Sequence, residues 1–368
     1  MFRILLAAVF LALPAIAIAA DPPPVYVVYF VPDGMEPHEG YVDRLDRVMT
    51  EVQNFYREGM KSHGYGEKTF ALQRDEQGKL IVHRVDGEEG KDAYGRNSHG
   101  KIYREIVQTF AAAGKPTRDR VYMMITPLLI WDGDRAIEHG PYVGGGSHLG
   151  GAASSYDDPL LGPENLSSKE PGAYYHRPVS VGQFNSHYIG GIAHELGHAF
   201  SLPHVCQKRT DRATALMGSG NHTYGNNLRG QGTGTFLTAN SAMFLRDIRA
   251  FAGDIENART SPEFKLNELS ADFVNGVLTL TGQVETKTRT FGLAAFNDGD
   301  RRSGNYDSVG WTCGVDEDGR FELKIGEFYP GGYELRLVFC HEGGIRTTLK
   351  YRYEVDKNCV PTIDMFEK

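Results

Sequence analysis

The stretch "GGIAHELGHAFSLPH", Gly190 to His204, constrains this chain more than any other feature. Counting from His194, a glutamate follows at the next position, a histidine four residues on and another ten residues on. On a helix, Ile189, Ile192, Ala193, Leu196 and Phe200 share one face, while His194, Glu195 and His198 fall on the opposite one. Residues four apart lie one turn apart, so both imidazoles reach a single ion. Glu195 cannot point the same way as both histidines, which leaves it free to hold a water as a general base. Pro203 ends the helix, because it lacks a backbone donor and pushes Leu202 out of helical geometry. His204 then swings back under the other two. Three histidines leave one tetrahedral position open, as a catalytic zinc requires and a structural zinc avoids.

The rest of the 368 residues must supply a frame for that helix. A composition of 40% hydrophobic and 23% charged residues is that of a folded protein, with one large domain or two expected at this length. Residues 1–19 read as a signal peptide: Arg3 precedes an apolar run interrupted by Pro14, and Ala17 and Ala19 form a cleavage pattern. The expectation is export, to an extracellular or periplasmic space, with no membrane span. The short distance from that leader to the first strand predicts no long inhibitory prodomain. A formal charge of -8 argues against nucleic acid as a partner. The four cysteines, Cys206, Cys313, Cys340 and Cys359, lack zinc-finger spacing, and in an oxidising compartment they predict at least one disulfide near the C-terminus, its pairing open.

"VYVVYFV" (Val25 to Val31) reads as a buried strand closed by a turn, and Val42, Leu45, Met49, Val52 and Tyr56 recur at helical spacing after it. "TFALQR" and "KLIVHRV" around "DEQG" predict a hairpin, Lys101 to Ala113 a helix, and "VYMMITPLLIW" another buried strand. From Pro141 to Gln183 the chain turns to Gly, Ser, Pro and Tyr; "GGGSHLGG" lacks the G-K-[ST] of a phosphate loop and reads as a flexible loop or an irregular edge strand. A helix is expected from Ala239 to Phe251. Beyond Pro262, short alternating runs separated by "NDGD", "DEDG", "PGG" and "EGG" predict a β-sandwich. The reading is α+β: a mixed-sheet catalytic domain over 20–260, carrying the motif helix, then an all-β sandwich, Ig- or fibronectin-like, over 261–368.

The motif His194-Glu195-Leu196-Gly197-His198 with His204, followed by "ALMGSGN", resembles that of the metzincin metallopeptidases. The resemblance covers about 25 residues and assigns no subfamily. It implies zinc on His194, His198 and His204, Glu195 as catalytic base, and Met217 in a turn forming an apolar floor beneath the histidines. Ser201 stands where the family has glycine, and Ser219 stands where some members carry a tyrosine; that role is not transferred to Tyr224.

The function expected is a secreted zinc endopeptidase that hydrolyses peptide bonds by a zinc-activated water, with a protein or peptide substrate. Two alternatives stand beside it. One is a non-catalytic binding protein that retains the metal site and recognises carbohydrate or protein through its sandwich; the other is a zinc-dependent amidase acting on a non-peptide amide. Of the remaining candidates, His187 and His222 lie close enough in sequence to stabilise an oxyanion. Asp132/Asp134, Asp157/Asp158, Asp298/Asp300 and Asp316/Asp318 are acidic pairs of a kind calcium uses, but none completes an EF-hand, and turn chemistry accounts for them. Asn165-Leu166-Ser167 and Asn221-His222-Thr223 are glycosylation sequons, and Tyr174 to Pro178 is an aromatic stretch suited to substrate contact.

Overall fold

A computed structural model describes residues 21–175, 177–254, 258–299 and 303–366. The leader at 1–19 and Asp300 lie outside the described residues, as do His176 and the side chains of the aromatic stretch around it.

Strand β1 (Tyr26–Asp33) is buried along almost its whole length, as its unbroken apolar run requires of a strand covered on both faces. Helix α1 (Tyr41–Ser62) buries Leu45, Val48, Met49, Val52, Tyr56 and Met60, the expected stripe extended by one turn. Strand β2 (Val82–Gly90) then pairs parallel with β1. The expected hairpin forms around the Asp75–Gly78 turn but is short: Asp75 N–H donates to the Lys79 carbonyl and Ile81 N–H to the Gln73 carbonyl, both at 2.9 Å, about an Arg74–Leu80 bridge, and from Val82 on the chain takes β1 as its partner. Helix α2 (His99–Ala112) leads into β3 (Val121–Thr126), and Pro127 divides the predicted long strand, so that β4 (Leu129–Asp132) and β5 (Arg135–Glu138) form a separate hairpin.

The glycine-rich region is more ordered than its composition suggests. It holds β6 (Val143–Gly146), β7 (Gly151–Tyr156), β8 (Pro171–Tyr175) and β9 (Arg177–Ser180). The principal sheet has the order β2-β1-β3-β7-β6; its first four strands run parallel, and β6 is an antiparallel edge. Helix α3 (Val181–Ala199) carries the motif and packs against β6 and β7. Short elements follow: β10 (Thr214–Ala215), α4 (Asn221–Thr223), α5 (Asn226–Arg229) and β11 (Thr235–Phe236). The helix expected to reach Phe251 is two, α6 (Ala239–Leu245) and α7 (Arg249–Ala252).

The C-terminal part contains β12 (Lys265–Val274), β13 (Val277–Glu285), β14 (Thr290–Asp298), β15 (Val309–Gly314), β16 (Arg320–Ile325), β17 (Gly331–His341) and β18 (Arg346–Val355). They form antiparallel sheets of order β12-β13-β16 and β15-β14-β17-β18. Leu278, Leu280, Leu293, Leu323, Leu335, Leu337 and Phe339 share one core with residues of both sheets. Ala294, Phe296, Val338 and Cys340, on the other face of the four-stranded sheet, belong instead to the core of the N-terminal unit. Alternation along β14 and β17 therefore feeds two cores at once. The same alternation removes one of the pairings left open: Cys340 lies in the N-terminal core, Cys313 packs against the sandwich core, and β14 runs between their strands. Cys313, Cys340 and Cys359 are free thiols.

Candidate metal centre

Helix α3 is pinned at both ends before it carries any chemistry. Ser180 caps its start, the Ser180 hydroxyl accepting from Gln183 N–H at 3.2 Å and the Gln183 side chain accepting from Ser180 N–H at 3.0 Å. At the far end, Ser201 N–H donates to the His198 carbonyl at 2.8 Å and Leu202 N–H to the Gly197 carbonyl at 2.9 Å. This is a Schellman turn with Ser201 left-handed at φ 66°. The helix thus stops before Pro203, which follows the turn and does not cause it.

Beyond the turn the three imidazoles meet. His198 Nε2 lies 3.1 Å from His194 Nε2 and 3.0 Å from His204 Nε2. Each Nδ1 faces a backbone carbonyl: Leu216 at 2.7 Å for His194, Leu202 at 2.9 Å for His198 and Gly304 at 2.6 Å for His204. A carbonyl only accepts, so each Nδ1 holds the proton and each Nε2 turns a lone pair toward the others. Three facing lone pairs repel unless a cation lies among them. Ligands about 2.0–2.1 Å from a tetrahedral zinc would stand roughly 3.3 Å apart, close to the spacing found, so the donor set suits one zinc ion. Among the described residues this is the group of three or more His, Cys, Asp or Glu side chains whose ligand atoms converge.

Electrostatics favour the ligand form. Burial, reinforced by the neighbouring imidazoles, lowers His194 to about 3; burial and His204 lower His198 to about 4, and His204 is lowered as well, mainly by burial. All three are neutral at pH 7 without help from a metal. Burial pushes Glu195 up to about 7, opposed by a hydrogen bond from Gly144 N–H. A nearby dication would draw that carboxyl down again.

The helix face expected to be polar is not solvated: His194 is 4% exposed and Glu195 9%. Edge strand β6 covers it. A Cβ at Gly144 would fall on the Glu195 carbonyl, and one at Gly146 or Gly151 on the Ala199 carbonyl, so these glycines let the strand lie directly on the helix backbone. Met217 is buried under the helix, its sulfur where a Cβ at Gly197 would be. The turn it occupies supplies the Leu216 carbonyl that orients His194. Tyr56 of α1 donates to the Ala193 carbonyl at 2.7 Å, tying the helix to the frame from behind.

The structure also brings His187 and His222 together. Their rings stack at 5.1 Å, and His187 Nε2 lies 3.3 Å from Glu138 of β5. His222 is close enough to His194 to help depress its pKa. The acidic pairs have other employment: Asp157 is gripped by Arg44 through two bonds of 2.7 and 2.6 Å, Asp158 accepts from Trp131 at 2.6 Å, and Asp316 accepts from the N–H groups of Asp318 and Arg320 in a turn. Asp132 and Asp134 sit exposed on the β4–β5 turn, and Asp298 lies 3.8 Å from Arg336. Asn165 spends its side-chain amide on the Leu160 carbonyl, and Asn221 opens α4 beside the site. Tyr224 donates to Glu51 at 2.9 Å on the side of α1.

Four contributors have no motif of their own. They are the Gly144 N–H on Glu195, the Gly304 carbonyl on His204, Tyr306 stacked on His204 at 3.8 Å, and Arg346 bonded to Ser201. Only the glycine run "GGG" carried a readable signal, that of a backbone approached closely on one side.

No protein-family model matches the chain, and no curated protein matches it in sequence. Solved structures do. Catalytically inactive OgpA from Akkermansia muciniphila, in complex with an O-glycopeptide (glycodrosocin) substrate, superposes with a TM-score of 0.78 at 22% identity over 90% of this chain and 92% of that one. Wild-type OgpA in two crystal forms gives 0.77 at 23% identity, covering 90% and 93% of this chain and 93% and 94% of the other. At this identity the likeness establishes a shared fold, and it spans both cores.

Proposed function

We propose that the chain is a secreted zinc-dependent endopeptidase whose substrates are O-glycosylated peptides. The observation that carries the peptidase reading is the convergence of three Nε2 lone pairs, each set by a carbonyl on the opposite ring nitrogen, beside a buried glutamate. The substrate class is supported by the O-glycopeptide bound to the OgpA structure that shares the fold.

His194, His198 and His204 would hold the zinc, which when bound supplies Lewis acidity toward the scissile carbonyl and the attacking water. Glu195 takes the proton of that water as its oxygen bonds to the carbonyl carbon, and delivers it to the leaving amine as the C–N bond breaks. Gly144 N–H favours the ionised form of Glu195 that a base requires. Strand β6, as the sheet edge nearest that carboxylate, offers backbone groups to which an extended substrate can add as a strand. Ser201 gives no ground for reading the site as inactive, because its left-handed turn still delivers His204 to the other two ligands.

The test uses the chain from Ala20. Elemental analysis should find one zinc, and an O-glycopeptide should be cut while the same peptide without its glycan is spared. Glu195→Gln should keep the zinc and lose at least about 10²-fold in turnover. Equal cleavage of both peptides would remove the glycan from the proposal; zinc without any cleavage would favour the binding-protein alternative.

A further inference from the structure

Of the three histidines, His194 and His198 are aimed by helix α3, whereas His204 hangs on the chain beyond its end. That segment is held from two sides. Val205 N–H donates to the Met217 carbonyl at 3.2 Å within the N-terminal unit, and Cys206 N–H donates to the Ser308 carbonyl at 2.8 Å in the C-terminal unit. Cys206 also bridges to Val309 at the start of β15. The His204 ring is set by the same C-terminal loop: its Nδ1–H donates to Gly304, and the Tyr306 ring lies on it at 3.8 Å with 28° between planes. Gly304 has φ 70°, so the loop reaches this position through a backbone state that favours glycine.

Arg346, on β18, acts on the turn from which His204 is projected. It donates to the Ser201 carbonyl at 2.9 Å and to the Ser201 hydroxyl at 2.5 Å, and its guanidinium lies over Phe244 at 4.2 Å. A left-handed serine costs on the order of 1 kcal/mol against glycine. Two charge-assisted hydrogen bonds, one of which glycine could not accept, offset that cost. Asn240 of α6 fixes the interface further by donating to the Ala295 and Trp311 carbonyls at 3.0 and 3.1 Å.

We infer that the C-terminal sandwich is a working part of the metal centre: its 303–308 loop orients the third ligand, and its Arg346 stabilises the serine turn that delivers that ligand. Tyr306 and Arg346 are positioning residues. The inference rests on the metal reading above and gives the sandwich a role other than docking substrate.

The experiment measures zinc affinity of the full-length mature protein by competition with a chromophoric chelator, together with the visible spectrum of the cobalt-substituted protein. Arg346→Met, which keeps the stem over Phe244, and Tyr306→Leu should each weaken zinc ten- to hundredfold and alter the cobalt bands, the scale found when groups that orient metal ligands are removed. Adding Ser201→Gly to Arg346→Met should recover part of the loss, because glycine does not need the offset. Leu280→Ala, in the sandwich core on β13 of the three-stranded sheet that does not carry the loop, serves as the control and should lower thermal stability while leaving zinc affinity within about twofold. Unchanged affinity in both positioning variants, or an equal loss in Leu280→Ala, would overturn the inference. If Arg346→Met does not fold, Tyr306→Leu decides. Wild-type protein that takes up no zinc would instead overturn the functional reading beneath it.

Discussion

At the residue scale, the site depends on atoms that a motif does not name. Glu195 and the three histidines were legible because metal chemistry fixes both their types and their spacing. Gly144 was not, since its contribution is a backbone N–H and an empty Cβ position. Gly144→Ala should therefore destabilise the fold by about 2 kcal/mol or displace β6 and impair turnover, whereas Gly145→Ala, whose Cβ would meet no atom within 4 Å, should stay within about 0.5 kcal/mol of wild type. Urea midpoints of the two variants check this. We propose His222, stacked on His187 and within electrostatic reach of His194, as the donor to a developing oxyanion. His222→Ala should lower kcat by about 10²-fold with little change in KM, and a loss confined to KM would assign it to substrate binding instead.

At the element scale, helical periodicity located α1 and α3 because a stripe of apolar residues has few other uses. It misread the environment of α3, whose second face is covered by β6 and not by water. The hairpin around "DEQG" forms but is shorter than its flanking runs for a related reason: local turn signals cannot report that β1 is the partner of the residues from Val82 on. Strand β17 carries a buried titratable group of its own. His341 bonds Thr290 at 2.8 Å and Thr347 at 2.9 Å, and burial lowers it from the ordinary 6.5 to about 4. Between those values the unfolded chain binds a proton that the folded chain refuses, so stability falls as pH falls through this window. The loss from pH 7 to pH 5 is on the order of 2 kcal/mol, and His341→Gln should reduce the difference between the unfolding free energies from urea curves at the two pH values by that amount.

At the scale of the whole molecule, one four-stranded sheet serves two cores, with Ala294, Phe296, Val338 and Cys340 on one side and Leu293, Leu335, Leu337 and Phe339 on the other. A sheet shared in this way couples the units, so unfolding should be a single transition. The two tryptophans report on it separately, Trp131 from the N-terminal unit and Trp311 from β15. Denaturation of Trp131→Phe and Trp311→Phe, each followed by its remaining tryptophan, should give coincident midpoints, and separated curves would show units that unfold independently. The sequence by itself determined the three histidines that converge, the glutamate between the first two and the succession from mixed α/β elements to short strands, because each of these is written in spacings of ten residues or fewer. Only the tertiary structure decided that His204 is oriented by Gly304, a hundred residues away, and Ser201 by Arg346, almost 150 away. A carbonyl and a guanidinium leave no periodic trace in the chain, and their partners are chosen by how two cores pack against one sheet.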